Sequence, residues 1–150
     1  MKTFPPLRRR STGFTLIEVM VATSITGVLA SVAYPSFSGA LHKVHRTEAL
    51  VAVIQLQQAQ ERWRSGNSQY GSLAEIGVPS VAPRRNYLLS VARQSATGYE
   101  VMAAATGTQA SDRSCRYLKF TVDAGNTAYA SGDTEAVTNN AQANRQCWNQ

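Results

Sequence analysis

Residues 14–34 of this 150-residue chain, FTLIEVMVATSITGVLASVAY, form an uninterrupted apolar run of 21 residues in which Glu18 is the one charged side chain. At 1.5 Å rise per residue a helix of that length spans about 31 Å, the hydrocarbon thickness of a bilayer. An acid inside such a run costs about 2.5–3.5 kcal/mol at the membrane centre even on insertion-derived scales, so it needs a partner or a purpose. Lys2, Arg8, Arg9 and Arg10 precede the run and carry four of the 15 cations, leaving 11 against nine acids from Phe14 onward. The formal charge of +6 is therefore concentrated ahead of the span. Basic residues in that position hold their end on the cytoplasmic side and send the rest of the chain outward.

Three readings fit the run. A secretory signal peptide explains the basic start and the small residues of "ASVA", but the run is longer than the usual 7–15-residue h-region and contains an acid. An ordinary single-span anchor explains the length and leaves Glu18 without a reason. The third reading is cleavage between Gly13 and Phe14, which leaves the run as a new N-terminus. The stretch "GFTLIEVMVA" closely resembles the cleavage site of the type IV pilin family. That resemblance implies removal of a basic leader (residues 1–13) after Gly13 by a prepilin peptidase, N-methylation of Phe14 by the same peptidase/methyltransferase, and a role for Glu18 in subunit assembly. The chemistry is consistent: cleavage creates a cationic amine at the positive end of a helix dipole, where a cation is unfavourable and a carboxylate can neutralise it. Phe14 and Glu18 are i, i+4 neighbours in one chain, and the same pair can form between subunits.

Pro35 removes the amide that would bond the Ser31 carbonyl, so a kink or an opening is expected there; Gly27 weakens the helix by about 1 kcal/mol. By resemblance, Gly27 to Pro35 bounds a stretch able to lose helicity in a filament; a static kink at Pro35 is the plainer reading. Thr23, Ser24, Thr26, Ser31 and the alanines are small enough for close helix packing. Beyond the span at 14–35, residues 36–64 continue as an amphipathic helix, with Leu41, Val44, Val51 and Ile54 at three- and four-residue spacings and Gly66–Asn67 as stop signals.

Residues 65–86, rich in Gly, Ser and Pro, read as a connecting loop with one helical turn at 73–76. Strands are expected at 87–93, 99–106, 116–122 and 127–130, with "ATG" and "DAGN" as turn signals. The predicted class is α+β: a long N-terminal transmembrane and filament-core helix whose second half packs on an antiparallel sheet of about four strands, within a C-terminal region, 87–150, bounded by a disulfide. Cys115 and Cys147 stand 32 apart with no CxxC pairing, and an oxidising compartment makes a disulfide the economical reading.

No Ser/His/Asp, Cys/His or paired-carboxylate constellation and no glycine-rich phosphate loop is present in the sequence, so neither an enzyme nor a cofactor is expected. His42 and His45 share a helix face but lack a further ligand beyond Glu48, which predicts solvated side chains and no metal. Arg84, Arg85, Arg113, Arg116 and Lys119, with Tyr87 and Tyr117 nearby, form either a basic strip able to contact DNA or a solvated surface. Trp148 is either a lid over the disulfide or an exposed contact. The resemblance implies a structural pilus subunit whose partners are other pilins, the peptidase/methyltransferase, the inner membrane before assembly and the inner-membrane assembly platform. Within that family the "CW" ending favours a minor pilin, with a DNA-binding pilin and a type II secretion pseudopilin as the alternatives; a C-terminal disulfide is more typical of pilins.

Overall fold

The computed structural model describes residues 13–148; the leader expected at 1–13 lies, but for Gly13, outside them. The elements run in the order helix α1 (Leu16–Arg64), strands β1 (Tyr87–Ala92) and β2 (Gly98–Ala105), two 3-10 turns (Gly107–Ser111 and Arg113–Cys115), strands β3 (Tyr117–Asp123) and β4 (Asn126–Gly132), and helix α2 (Ala141–Trp148). The chain divides into two compact units, one ending at Ser38 and one beginning at Gly39.

The first unit is the apolar start of α1, long and apolar enough to cross a membrane, with its large side chains exposed from Phe14 to Phe37. The hydroxyls of Thr23, Ser24, Thr26 and Ser31 are satisfied inside the helix. Thr23 donates to the carbonyls of Val19 and Met20, Ser24 to Met20, Thr26 to Ala22 and Ser31 to Val28. Back-bonding of this kind lets hydroxyls sit in hydrocarbon, where an unsatisfied polar group costs several kcal/mol. The helix runs without interruption through Pro35, so the opening expected there is not seen in this chain. One missing amide removes one bond of the ladder, and its neighbours carry the helix across.

In the second unit the remaining part of α1 lays Ala49, Ala52, Val53 and Leu56 on the sheet. The sheet is an antiparallel meander in the order β1-β2-β3-β4. Its register aligns Leu89 with Ala103 and Ala103 with Leu118, and two residues along aligns Val101 with Phe120 and Phe120 with Tyr129. All of these share the helix-facing side, as period-two alternation requires. An aromatic series crosses that face: Tyr70–Tyr99 at 4.7 Å, Tyr99–Phe120 at 6.3 Å, Phe120–Tyr129 at 5.2 Å and Tyr129–Trp148 at 5.0 Å between ring centroids. Such tilted pairs add about 0.5–1.5 kcal/mol each beyond their buried area.

The strands begin or end within two residues of expectation, and "DAGN" is the β3–β4 turn, with Ala124 and Gly125 at φ 47° and 81°. Two positive φ values in a two-residue hairpin loop match the right-handed strand twist. Gly98 has a different reason to be glycine: a Cβ there would run into the Val122 carbonyl across the β2–β3 ladder. Residues 73–77 form the expected single turn, closed by a helical bond from the Ile76 amide to the Ser72 carbonyl at 3.1 Å. Helix α2 is an addition to the expected elements; Asn140 starts it, its Oδ1 accepting from the amides of Gln142 and Ala143, as an N-cap does.

Candidate functional site

The N-terminal site is built on three residues ahead of the helix and its first turn. Gly13, Phe14 and Thr15 precede the helix, so the Gly13–Phe14 bond lies in non-helical backbone where a protease can hold it extended. A Cβ at Gly13 would meet nothing within 4 Å. The chain itself therefore has no steric need for glycine at this position. Phe14 is 82% exposed.

Glu18 has a partner within the helix. The Thr15 amide donates to Glu18 Oε2 at 3.4 Å and the Glu18 amide donates to Thr15 Oγ1 at 3.3 Å. Thr15 and Glu18 thus form a capping box, which satisfies two of the orphan amides of the first turn. The same carboxylate sits where it offsets the positive end of the helix dipole. Gly27, the other residue singled out in the span, is likewise free of crowding, since a Cβ there would meet nothing within 4 Å.

At the other end a covalent and a polar clamp hold the globular unit. Cys115 and Cys147 form the expected disulfide, tying the second 3-10 turn to α2. Trp148 is 6% exposed and donates its indole N–H to the Ala130 carbonyl; it is a core residue and not an exposed contact. Beside the disulfide, Arg46 of α1 donates two bonds to Asp112, at 2.7 and 2.8 Å, and one to the carbonyl of Gln146.

The fully buried Gln109 joins this clamp, and it corrects the expectation for the histidines. His42 and His45 are half-buried, each with Nδ1 3.0 Å from Gln109 Oε1, while Gln109 Nε2 donates toward Tyr87 Oη and Asp112 Oδ2. They are fasteners between helix and loop rather than solvated side chains. Burial in this cluster pushes the Tyr87 hydroxyl up to about 12. Among the described residues no group of three or more His, Cys, Asp or Glu is placed to hold a metal. Glu48 accepts from the Arg84 amide and from Asn86 Nδ2, closing the loop that precedes β1.

The candidate basic strip is divided. Arg113 and Arg116 both pair with Asp133, at 3.3 Å each, and Lys119 pairs with Glu100 at 3.5 Å across the β2–β3 ladder. Arg84 and Arg85 are exposed in the loop before β1, with no side-chain bond among the described residues. Sequence reasoning could not see these pairings, because Asp133 and Glu100 reach the cations through strand register.

An apolar N-terminal helix followed by a helix-on-meander unit with a C-terminal disulfide defines a pilin-like subunit. The chain belongs to the type IV pilin family: residues 35–121, more than half of its length, match the family described as Type IV minor pilin ComP, DNA uptake sequence receptor. Residues 8–34 match the prokaryotic N-terminal methylation motif, and together with the apolar helix they fit a precursor anchored in the inner membrane.

Curated relatives extend the comparison. The Type II secretion system core protein G of Klebsiella michiganensis is 37% identical over 87 residues, covering 54% of this chain and 61% of that protein. The protein of the same name from Aeromonas hydrophila is 35% identical over 86 residues, with 53% and 60% covered. The Type IV major pilin protein PilA of Myxococcus xanthus is 36% identical over 85 residues, with 55% and 39% covered. The chain thus spans less than two thirds of the length of each.

Proposed function

We propose that this chain is a minor pilin of a type IV pilus, a structural subunit and not an enzyme. It is held in the inner membrane with its C-terminal unit in the periplasm, cut after Gly13, methylated on Phe14 and drawn into the extracellular fibre through α1 by the inner-membrane assembly platform. The observation that carries this reading is the match over residues 35–121 to a family described as a minor pilin, which takes in the second half of α1 and the first three strands. The Cys115–Cys147 disulfide supports it as well, being more typical of pilins by resemblance. The test is mass spectrometry of fibres sheared from cells: trace amounts of this chain with an N-methylated Phe14 terminus support the reading. Dominance would make it the main subunit. Absence from fibres with the processed form retained in membranes would make it a pseudopilin, the reading favoured by the core protein G relatives.

In this reading Glu18 has two duties that substitution separates. Glutamine also serves in a capping box, so Glu18→Gln keeps helix initiation, insertion and leader removal. It removes the charge that meets the Phe14 amine of a neighbouring subunit and leaves that amine unpaired in low dielectric. Incorporation into sheared fibres is expected to fall about tenfold or more; normal incorporation would show that the charge is dispensable.

The family's description also names a DNA uptake receptor, which gives the basic residues a second use. Arg84 and Arg85 are the ones free to take phosphates, because Arg113, Arg116 and Lys119 are already paired. If the chain receives DNA, Arg84→Glu with Arg85→Glu abolishes DNA retention by the full-length protein and flattens its salt dependence, while the unfolding midpoint stays within the error of the wild type. Unchanged retention would remove this loop from any DNA contact.

A further inference from the structure

A cleft of about 350 Å³ opens where α1 ends and the loop over residues 65–77 folds back, and neither the N-terminal site nor the basic loop includes it. Its lining combines two aromatic rings, Trp63 and Tyr70, with the amides of Asn67, Gln69 and Gln94 and the carboxylate of Glu75. The scaffold beneath it is fixed. Buried Gln60 clasps the backbone of Gly71 in both directions, Nε2 to its carbonyl at 2.6 Å and Oε1 from its amide at 2.9 Å. Trp63 lies so close over Gly71 that an added Cβ would sit 3.0 Å from its Nε1. A ring pinned in this way presents its surface without losing rotamer freedom on binding.

The free valences of the cleft are of both kinds, donors and acceptors. Asn67 donates one N–H of Nδ2 to the Trp63 carbonyl and Gln94 one N–H of Nε2 to the Val91 carbonyl, which leaves each amide one N–H and its oxygen uncommitted. Glu75 takes the Ser72 amide and hydroxyl on Oε2 alone, keeping Oε1. Those same bonds hold the Glu75 carboxyl below the usual range, so it is charged at neutral pH. Gln69 makes no side-chain bond among the described residues. Arg64, which neighbours the cleft, is occupied: it donates to the Asn67 and Ala96 carbonyls and lies over the Tyr70 ring at 5.8 Å.

A lining of paired donors and acceptors with a carboxylate and no cation among its residues disfavours phosphate and suits a neutral ligand that both donates and accepts. Aromatic surface beside those groups suits a body with an apolar face and a hydroxylated rim. We propose that this cleft binds a neutral pyranose sugar, the ring stacked on Trp63 and its hydroxyls donating to Asn67, Gln94 and Glu75 with Gln69 closing the rim. The site does not depend on whether the chain is a pilin of the fibre or of a secretion system.

The test uses the full chain in a detergent without a sugar headgroup, titrated with glucose, galactose, N-acetylglucosamine and N-acetylgalactosamine. Indole fluorescence is the readout, and Trp63→Phe assigns the signal, since Trp148 remains buried in the core. Saturable change with at least one neutral sugar is expected, weakened about tenfold by Gln69→Ala with Gln94→Ala as two hydrogen bonds are lost, with the unfolding midpoint unchanged. Three results would overturn the proposal: no response to any of the four sugars, equal affinity in the double variant, or displacement of the sugar by inorganic phosphate or oligothymidylate at equal or lower concentration.

Discussion

Asp112→Ala is expected to destabilise the globular unit by about 3 kcal/mol, read as a shift of the urea unfolding midpoint of the full chain in micelles. The Arg46–Asp112 pair has side chains only 13% and 6% exposed. Removing the carboxylate leaves a guanidinium with little water to turn to, and costs of about 3–5 kcal/mol are typical of such removals. The lower end applies because Arg46 keeps some solvent and its bond to the Gln146 carbonyl. Gln109 loses an acceptor at the same time, and with it the amide that both histidines face is less firmly held. Arg46→Met combined with Asp112→Ala should recover part of the loss, because the buried charge leaves together with its partner. A double variant as unstable as the sum of the two singles would show that the pair is not coupled.

Loss of the disulfide is the second large effect. Cys147→Ser opens a loop with a sequence separation of 32, and chain entropy puts the cost at about 3.5–4 kcal/mol. The consequence is local before it is global. Helix α2 has eight residues, below the length at which an isolated helix holds in water. Without its tether it is expected to release from β4, breaking the Tyr129–Trp148 contact and the Trp148 bond to Ala130. A red shift of Trp148 fluorescence under native conditions, with Trp63→Phe as the background, would report that release. Wild-type protein should also resist thiol reductants until urea is added, since both cysteines are buried; rapid reduction without denaturant would contradict that protection.

The two ends of the chain differ in how much could be read in advance. The long apolar helix is legible because its physics is local, an uninterrupted apolar length, whereas the capping box that Thr15 and Glu18 form was visible only in the structure. The meander was legible for the same reason, through alternation in "YLLSVA" and the turn at "DAGN", although strand ends shifted by up to two residues. His42 and His45 were misread because the partner that explains them, Gln109, lies 67 and 64 positions away. The basic strip is divided through Asp133 and Glu100, which no spacing in the sequence connects to Arg116 or Lys119.

By itself, then, the sequence determined an apolar helix with an acid in its first turn, an amphipathic continuation and an antiparallel meander. Hydrophobic periodicity acts over a few residues, and it is written where it acts. The tertiary structure alone decided that α2 exists, that Trp148 is core, which arginines remain free, and that Trp63 shares a cleft with Gln94. Each of these depends on a partner brought close by chain reversal, and its energy arises only once the sheet has set the register.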